Sequence, residues 1–213
     1  MKKVRVDVIS DTVCPWCYIG KRRLEKAIAG KSEELQVEVV FHPFQLDPSI
    51  PKEGRDADAH YAAKFGDLSR FEQMREHVAA VGREEGIAFD WKAQKRAPNT
   101  FDSHRLALYA ADYGKQLEVI EALFAAHFEK GLDVGSEDTL VSIATEAGLD
   151  AEQTRAFLRS DAGRQEVEAL EAQARRLGVS GVPFFIVDGK WAVSGAQPPE
   201  VLSEIFEKAR SEA

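Results

Sequence analysis

The sequence predicts an α/β fold: a central mixed sheet flanked by helices and interrupted by a large all-helical insertion. Three observations lead there. Strand-period runs occur near the amino end and return near the carboxyl end, each end carries helices of its own, and from about Asp56 to Ser160 the strand signal nearly vanishes. A chain of 213 residues suits one compact fold with an insertion better than two average domains. We expect residues 1–47 and 161–213 to form one discontinuous unit and 48–160 the helical insertion.

Val4, Val6 and Val8 alternate with Arg5 and Asp7, the period of a half-buried strand, and Ser10-Asp11-Thr12 breaks the pattern. Helix-compatible sequence runs from about Pro15 to Ala29, with Ile19, Leu24, Ala27 and Ile28 as apolar contacts. Pro15 suits the first turn and Gly30 the end. Val37, Val39 and Phe41 alternate with Glu38 and His42 as a second strand, and Pro43, Pro48 and Pro51 mark its exit loop. A helical crossover of that length makes the two strands parallel and the connection right-handed.

Within the insertion, the runs Phe71 to Val78 and Leu117 to Phe124 are helical, Asp150-Ala151-Glu152-Gln153 has capping-box spacing, and Gly114, Gly131 and Gly148 fall at expected helix ends. Val167, Leu170, Ala174 and Leu177 mark an amphipathic helix closing at Gly178. Phe184 to Val187, the turn Asp188-Gly189-Lys190 and Trp191 to Val193 read as an antiparallel hairpin. Pro198 to Ala209 reads as a final helix.

Lys and Arg total 28 against 36 for Asp and Glu, a formal net charge of -8, so phosphate backbones are repelled and nucleic acid is not an expected partner. No run approaches the roughly 18 apolar residues of a membrane span. The first eight residues alternate charged and apolar types, unlike a signal peptide, and a cytoplasmic location is expected. The charged runs Arg83-Glu84-Glu85 and Ala174-Arg175-Arg176 read as solvated helix faces.

Only two cysteines occur, Cys14 and Cys17, in Cys14-Pro15-Trp16-Cys17. Neither a disulfide framework nor a four-cysteine zinc site can be built from them, and the five histidines show no paired metal spacing nearby. No metal is expected. Two cysteines spaced i, i+3 across a first helical turn can bring their sulfurs together with little backbone movement, which a reversible disulfide requires. The helix dipole contributes about 0.3 to 1 kcal/mol toward an anion at Cys14. Hydrogen bonds to a charged group are worth about 1.5 to 3 kcal/mol, so the amides of Trp16 and Cys17 are expected to supply most of that stabilisation. Cys14 is then the attacking sulfur, and Cys17, less exposed within the helix, resolves the mixed disulfide.

The element order resembles the thioredoxin fold. More closely, Cys14-Pro15-Trp16-Cys17-Tyr18-Ile19-Gly20, Asn99-Thr100 with His104, and Gly178-Val179-Ser180-Gly181-Val182-Pro183-Phe184-Phe185 resemble the DsbA superfamily and its FrnE-like branch over nearly the whole chain. The resemblance implies a protein disulfide oxidoreductase in which Pro15 and Trp16 tune the pair. It also implies a cis Pro183 facing the cysteines, and a Val182 that offers its backbone to the substrate chain. The alternative is that Gly181-Val182-Pro183 is simply a trans turn entering a strand.

The implied partner is a disulfide- or thiol-bearing protein or small molecule. No cofactor is expected beyond glutathione as a thiol co-substrate, and the assembly would be a monomer or homodimer. Asn99 reads as the cap of a helix from Thr100 through Leu108, with His104 on a solvated or satisfied face. By resemblance, Asn99, Thr100 and His104 line the substrate groove. Trp16 and Trp91 are candidates for an apolar platform, with core packing the alternative for Trp91.

Two other functions stay open. Hydroxychromene-carboxylate isomerases share this architecture but typically carry serine at the position of Cys14, and they have no use for a resolving cysteine. A holdase-like binding protein would keep the fold without redox turnover.

Overall fold

The computed structural model describes residues 2–66 and 68–211. Strand β1 (Lys2–Ser10) leads into helix α1 (Pro15–Ala29), which crosses over to β2 (Leu35–Pro43). β1 and β2 pair in parallel from Lys2↔Leu35 to Ser10↔Pro43. Next come a two-residue strand β3 (Arg55–Asp56), α2 (Ala57–Phe65), α3 (Leu68–Glu84), a second two-residue strand β4 (Arg96–Ala97), and then α4 (Phe101–Ala111), α5 (Gln116–Phe128), α6 (Glu137–Glu146), α7 (Ala151–Arg159) and α8 (Arg164–Arg176). The hairpin β5 (Phe184–Val187) and β6 (Trp191–Ser194) and helix α9 (Pro199–Ser211) complete the described chain.

The main sheet has the order β2-β1-β5-β6, with β5 antiparallel to both of its neighbours. It is mixed because α1 carries the chain back to the same end of the sheet, whereas a tight turn reverses it between β5 and β6. That turn needs two residues at positive φ, and Asp188 (49°) and Gly189 (66°) provide them. The open edge of β2 is blunted by a side chain: the Gln116 amide accepts from the Phe41 amide at 2.9 Å and donates to the Phe41 carbonyl at 3.0 Å.

Inside the insertion, β3 and β4 form a small antiparallel ladder that no alternating pattern announced. The Asp150 cap is as expected, its carboxylate accepting from the Gln153 amide at 2.8 Å. Gly114, Gly131 and Gly148 all take positive φ past helix ends. Arg83 and Glu84 face solvent as expected, but the last residue of that charged run does not. Glu85, 7% exposed, pairs with Arg23 at 2.7 Å and Lys26 at 2.6 Å and ties the end of α3 to α1.

Buried apolar residues fall into one large and two smaller clusters. The large one joins Val4, Val6, Val8 and Phe185 of the sheet to Tyr18, Ile19 and Leu24 of α1 and to Phe124 and Phe128 of α5. A second, built around Leu106, Leu123, Leu140 and Leu158, holds α4 to α7 together. The second is packed from helix side chains at three- and four-residue steps, whereas the first also takes strand residues at two-residue steps. Among the described residues no helix is long and apolar enough to cross a membrane.

Candidate active site

β1 ends at Ser10, and a four-residue loop delivers the chain to α1, whose N-cap is Cys14 and whose first residue is Pro15. Pro at the first position needs no amide partner and presets the helical φ. The Cys14 amide donates to the Asp11 carbonyl at 3.1 Å, closing the turn that aims the cysteine. Both cysteines are free thiols and both are enclosed, Cys14 at 4% exposure and Cys17 at 1%. The order of exposure is as expected, but the difference is slight.

The Cys14 thiol donates to the Val182 carbonyl at 3.5 Å, and the Val182–Pro183 peptide is cis. The loop before β5 therefore lies directly on the cysteine pair. Its approach depends on Gly20, where a Cβ would sit 2.9 Å from Pro183 Cγ and 3.1 Å from Phe185 Cζ. Pro183 is held from its other side as well, its carbonyl accepting from the Gly195 amide at 2.8 Å.

The amide geometry differs from the expectation. The Cys17 amide bonds the Cys14 carbonyl at 3.0 Å, and the Tyr18 amide also reaches that carbonyl at 3.4 Å. The sulfur is left to the Val182 loop, because an N-cap carbonyl competes successfully for the first free amides of its helix. Burial pushes the Cys17 thiol well above its ordinary range and the adjacent Cys14 adds to that. The neighbouring Ser10 side chain and Asp11 backbone pull the other way.

Trp16 is half-buried and tilts against His77 of α3, ring centroids 6.0 Å apart, so α3 borders the centre. Trp91 belongs to packing instead: it stacks on Phe89 at 4.7 Å, meets Phe128 edge-on, and donates its indole N–H to the Arg75 carbonyl at 3.2 Å.

The three residues from the insertion separate. Asn99 does not cap the helix, since Thr100 is the N-cap. Its Oδ1 accepts from the Phe101 amide at 2.9 Å in an Asx turn, and its Nδ2 donates to the Ile50 carbonyl at 2.6 Å. Thr100, buried, lines a cavity of about 60 Å³ with Asp11, Val13, Ile50, His60 and Tyr61. His104 is neither solvated nor satisfied: it is 3% exposed, its Nε2 has no hydrogen-bond partner among the described residues, and it lies 3.4 Å from Asp11 Oδ1.

The sequence reasoning missed the polar group behind the cysteines. Ser10, Asp11, Thr12 and Ser103 are all buried, with Thr12 Oγ1 and Ser103 Oγ 2.8 Å apart and Ser103 donating to the Thr100 carbonyl at 2.8 Å. Asp11 Oδ2 accepts from the Leu46 amide at 2.8 Å. The signal was available in three consecutive polar residues between a buried strand and the first cysteine. Among the described residues no group of three or more His, Cys, Asp or Glu is placed to hold a metal ion.

A family model described as DSBA-like thioredoxin domain matches residues 5–207. The solved structure of a probable DsbA oxidoreductase from Streptomyces coelicolor superposes with a TM-score of 0.91 at 37% identity, covering 99% of this chain and 91% of that one. An uncharacterized Bacillus subtilis protein, YwbO, is 30% identical over 98% of this chain and 96% of its own length. A 2-hydroxychromene-2-carboxylate isomerase of Sphingobium xenophagum is 31% identical over 105 residues, 46% of this chain and 54% of that one.

Proposed function

The chain belongs to the DSBA-like thioredoxin family, and from that membership we propose that it is a thiol–disulfide oxidoreductase or isomerase working through Cys14 and Cys17. The observation that carries the reading is the placement of Cys14: at the start of α1, against the Val182 carbonyl, with a second free thiol one turn behind it. The Cys14 sulfur attacks a substrate disulfide, forming a Cys14–substrate disulfide and releasing the other substrate sulfur as a thiolate. Cys17 then gives up its proton and attacks Cys14, so that the enzyme leaves oxidised and the substrate reduced. The reverse sequence oxidises a substrate dithiol.

The backbone of Val182 pairs with the substrate chain as a short strand. Substrates are proteins or small molecules bearing a disulfide or thiol, and glutathione is the thiol co-substrate. The FrnE-like branch and a cytoplasmic location belong to the same reading.

The test is a Cys17→Ala variant incubated with a disulfide-bearing peptide. A peptide adduct on Cys14 that persists in the variant and turns over in the wild type is expected; no adduct on Cys14 overturns the assignment. One observation favours a second reading, glutathione-dependent isomerisation of a small aromatic substrate: the identity shared with the chromene-carboxylate isomerase. Glutathione-dependent turnover of an aromatic enol ether by Cys17→Ala, without activity on insulin disulfides, decides for it.

A further inference from the structure

The resolving step needs a place for a proton. Cys17 is 1% exposed, so its thiol cannot give the proton directly to bulk water. Behind it, Ser10 Oγ, Asp11 Oδ1 and His104 Nε2 are each buried without a hydrogen-bond partner among the described residues. Buried polar atoms are paired in the great majority of cases, so three orphans in one cluster point to a group that binds among them. The Ser10 hydroxyl lies against the Cys17 thiol and favours its ionised form. Ser10, Thr12 and His104 also line a small cavity of about 10 Å³ whose remaining wall includes Phe41, Ala107 and Ile120. That is the room one water molecule needs, and the polar lining supplies its partners.

We infer that this cavity is the route by which Cys17 gives up its proton, and that His104 is the residue that holds it. The inference rests on the oxidoreductase reading and extends it. Ser10 accepts the Cys17 proton as it passes its own to a water in the cavity, and the water passes one to His104 Nε2. Asp11 Oδ1, 3.4 Å away, compensates the positive charge the ring acquires. The Cys17 sulfur meanwhile bonds to Cys14, the Cys14–substrate bond breaks, and the electron pair leaves on the substrate sulfur, which takes a proton from solvent. His104 returns its proton when Cys17 is next reduced. His42 also lines the cavity but is engaged by Asp7 at 2.7 Å, and Asp7 is in turn held by Arg5 at 2.8 Å, so that imidazole is not the holder. His104 is thus a positioning and proton-holding residue supplied to the cysteine pair by the helical insertion.

The experiment separates the two chemical steps by stopped-flow mixing of the reduced protein with a fluorogenic mixed-disulfide peptide. In His104→Gln, formation of the Cys14 adduct should stay at the wild-type rate. Release of the peptide should slow about a hundredfold, the low end of what a positioned proton carrier contributes, with a larger solvent deuterium effect on that step. Ser10→Ala should slow the same step and Ser10→Thr, which keeps the hydroxyl, should restore it. This pair carries the test if His104→Gln does not fold. Equal slowing of both steps, or an unchanged release rate, overturns the inference while an adduct in Cys17→Ala leaves the oxidoreductase reading standing. Absence of that adduct overturns both.

Discussion

Replacing Gly20 by Ala sets two effects of similar size against each other. Gly20 lies inside α1, where Ala is favoured over Gly by about 1 kcal/mol. The added Cβ would sit 2.9 Å from Pro183 Cγ, about 0.6 Å inside the roughly 3.5 Å at which carbon contacts become favourable. Pro183 is buried and its carbonyl is tied to the Gly195 amide, and Phe185 behind it is fully buried, so the ring cannot swing freely. Overpacking of this kind costs about 1 to 3 kcal/mol.

The net change in stability is therefore a loss of about 0 to 2 kcal/mol, which lowers Tm by about 0 to 8 °C in a chain of this size. The effect on exchange should be larger. The displaced loop carries the Val182 carbonyl away from the Cys14 thiol, and misplacement of a reacting group by about 1 Å can cost on the order of a hundredfold in rate. The assay pairs a thermal melt with the rate of adduct formation at Cys14. A Gly30→Ala variant, where a Cβ makes only ordinary contacts, 3.6 Å from the Lys26 carbonyl oxygen and 3.9 Å from that of Ala27, serves as control and should leave that rate unchanged. A Gly20→Ala protein that exchanges at the wild-type rate would refute the claim that this glycine sets the approach of the loop.

Two further outcomes follow from groups remote from the cysteines. Arg105, with no exposed surface, donates to the carbonyls of Phe157, Leu158, Ser160 and Ala162 and to Asp102, so it satisfies the carboxyl end of α7. Arg105→Met should cost about 3 to 5 kcal/mol and lower Tm by about 10 °C in a calorimetric scan, and a drop under about 3 °C would contradict it. Burial pushes the His127 imidazole down to about 4, with the Leu132 backbone and Asp11 pulling the other way. The unfolded chain takes up a proton below about 6.5 that the native protein refuses until about 4, so stability is full above this window and falls as pH drops through it, by roughly 3 kcal/mol. Urea midpoints measured across the window should fall less steeply for His127→Phe than for the wild type; parallel slopes would exclude His127 as the cause.

The sequence by itself determined the parts whose physics is local. Alternation at Val4, Val6 and Val8 made a strand. Pro15 and Gly30 bounded a helix, the Asp188-Gly189 pair made a tight turn, and two cysteines one turn apart at a helix start implied sulfur chemistry. Gly20 was visible within the same segment, but nothing local says that its missing Cβ makes room for Pro183, 163 positions further along the chain.

Only the tertiary structure decided which polar residues lie inside. Ser10-Asp11-Thr12 has the composition of a solvated turn, and His104 occupies a helix position that reads equally well as surface. Packing α4 against β2 removes both from bulk solvent, with Asp11 Oδ1 3.4 Å from His104 Nε2. Burial is a property of what the rest of the chain places on top of a residue. Hydrophobic periodicity reports it for apolar side chains and is silent for the polar ones that chemistry uses.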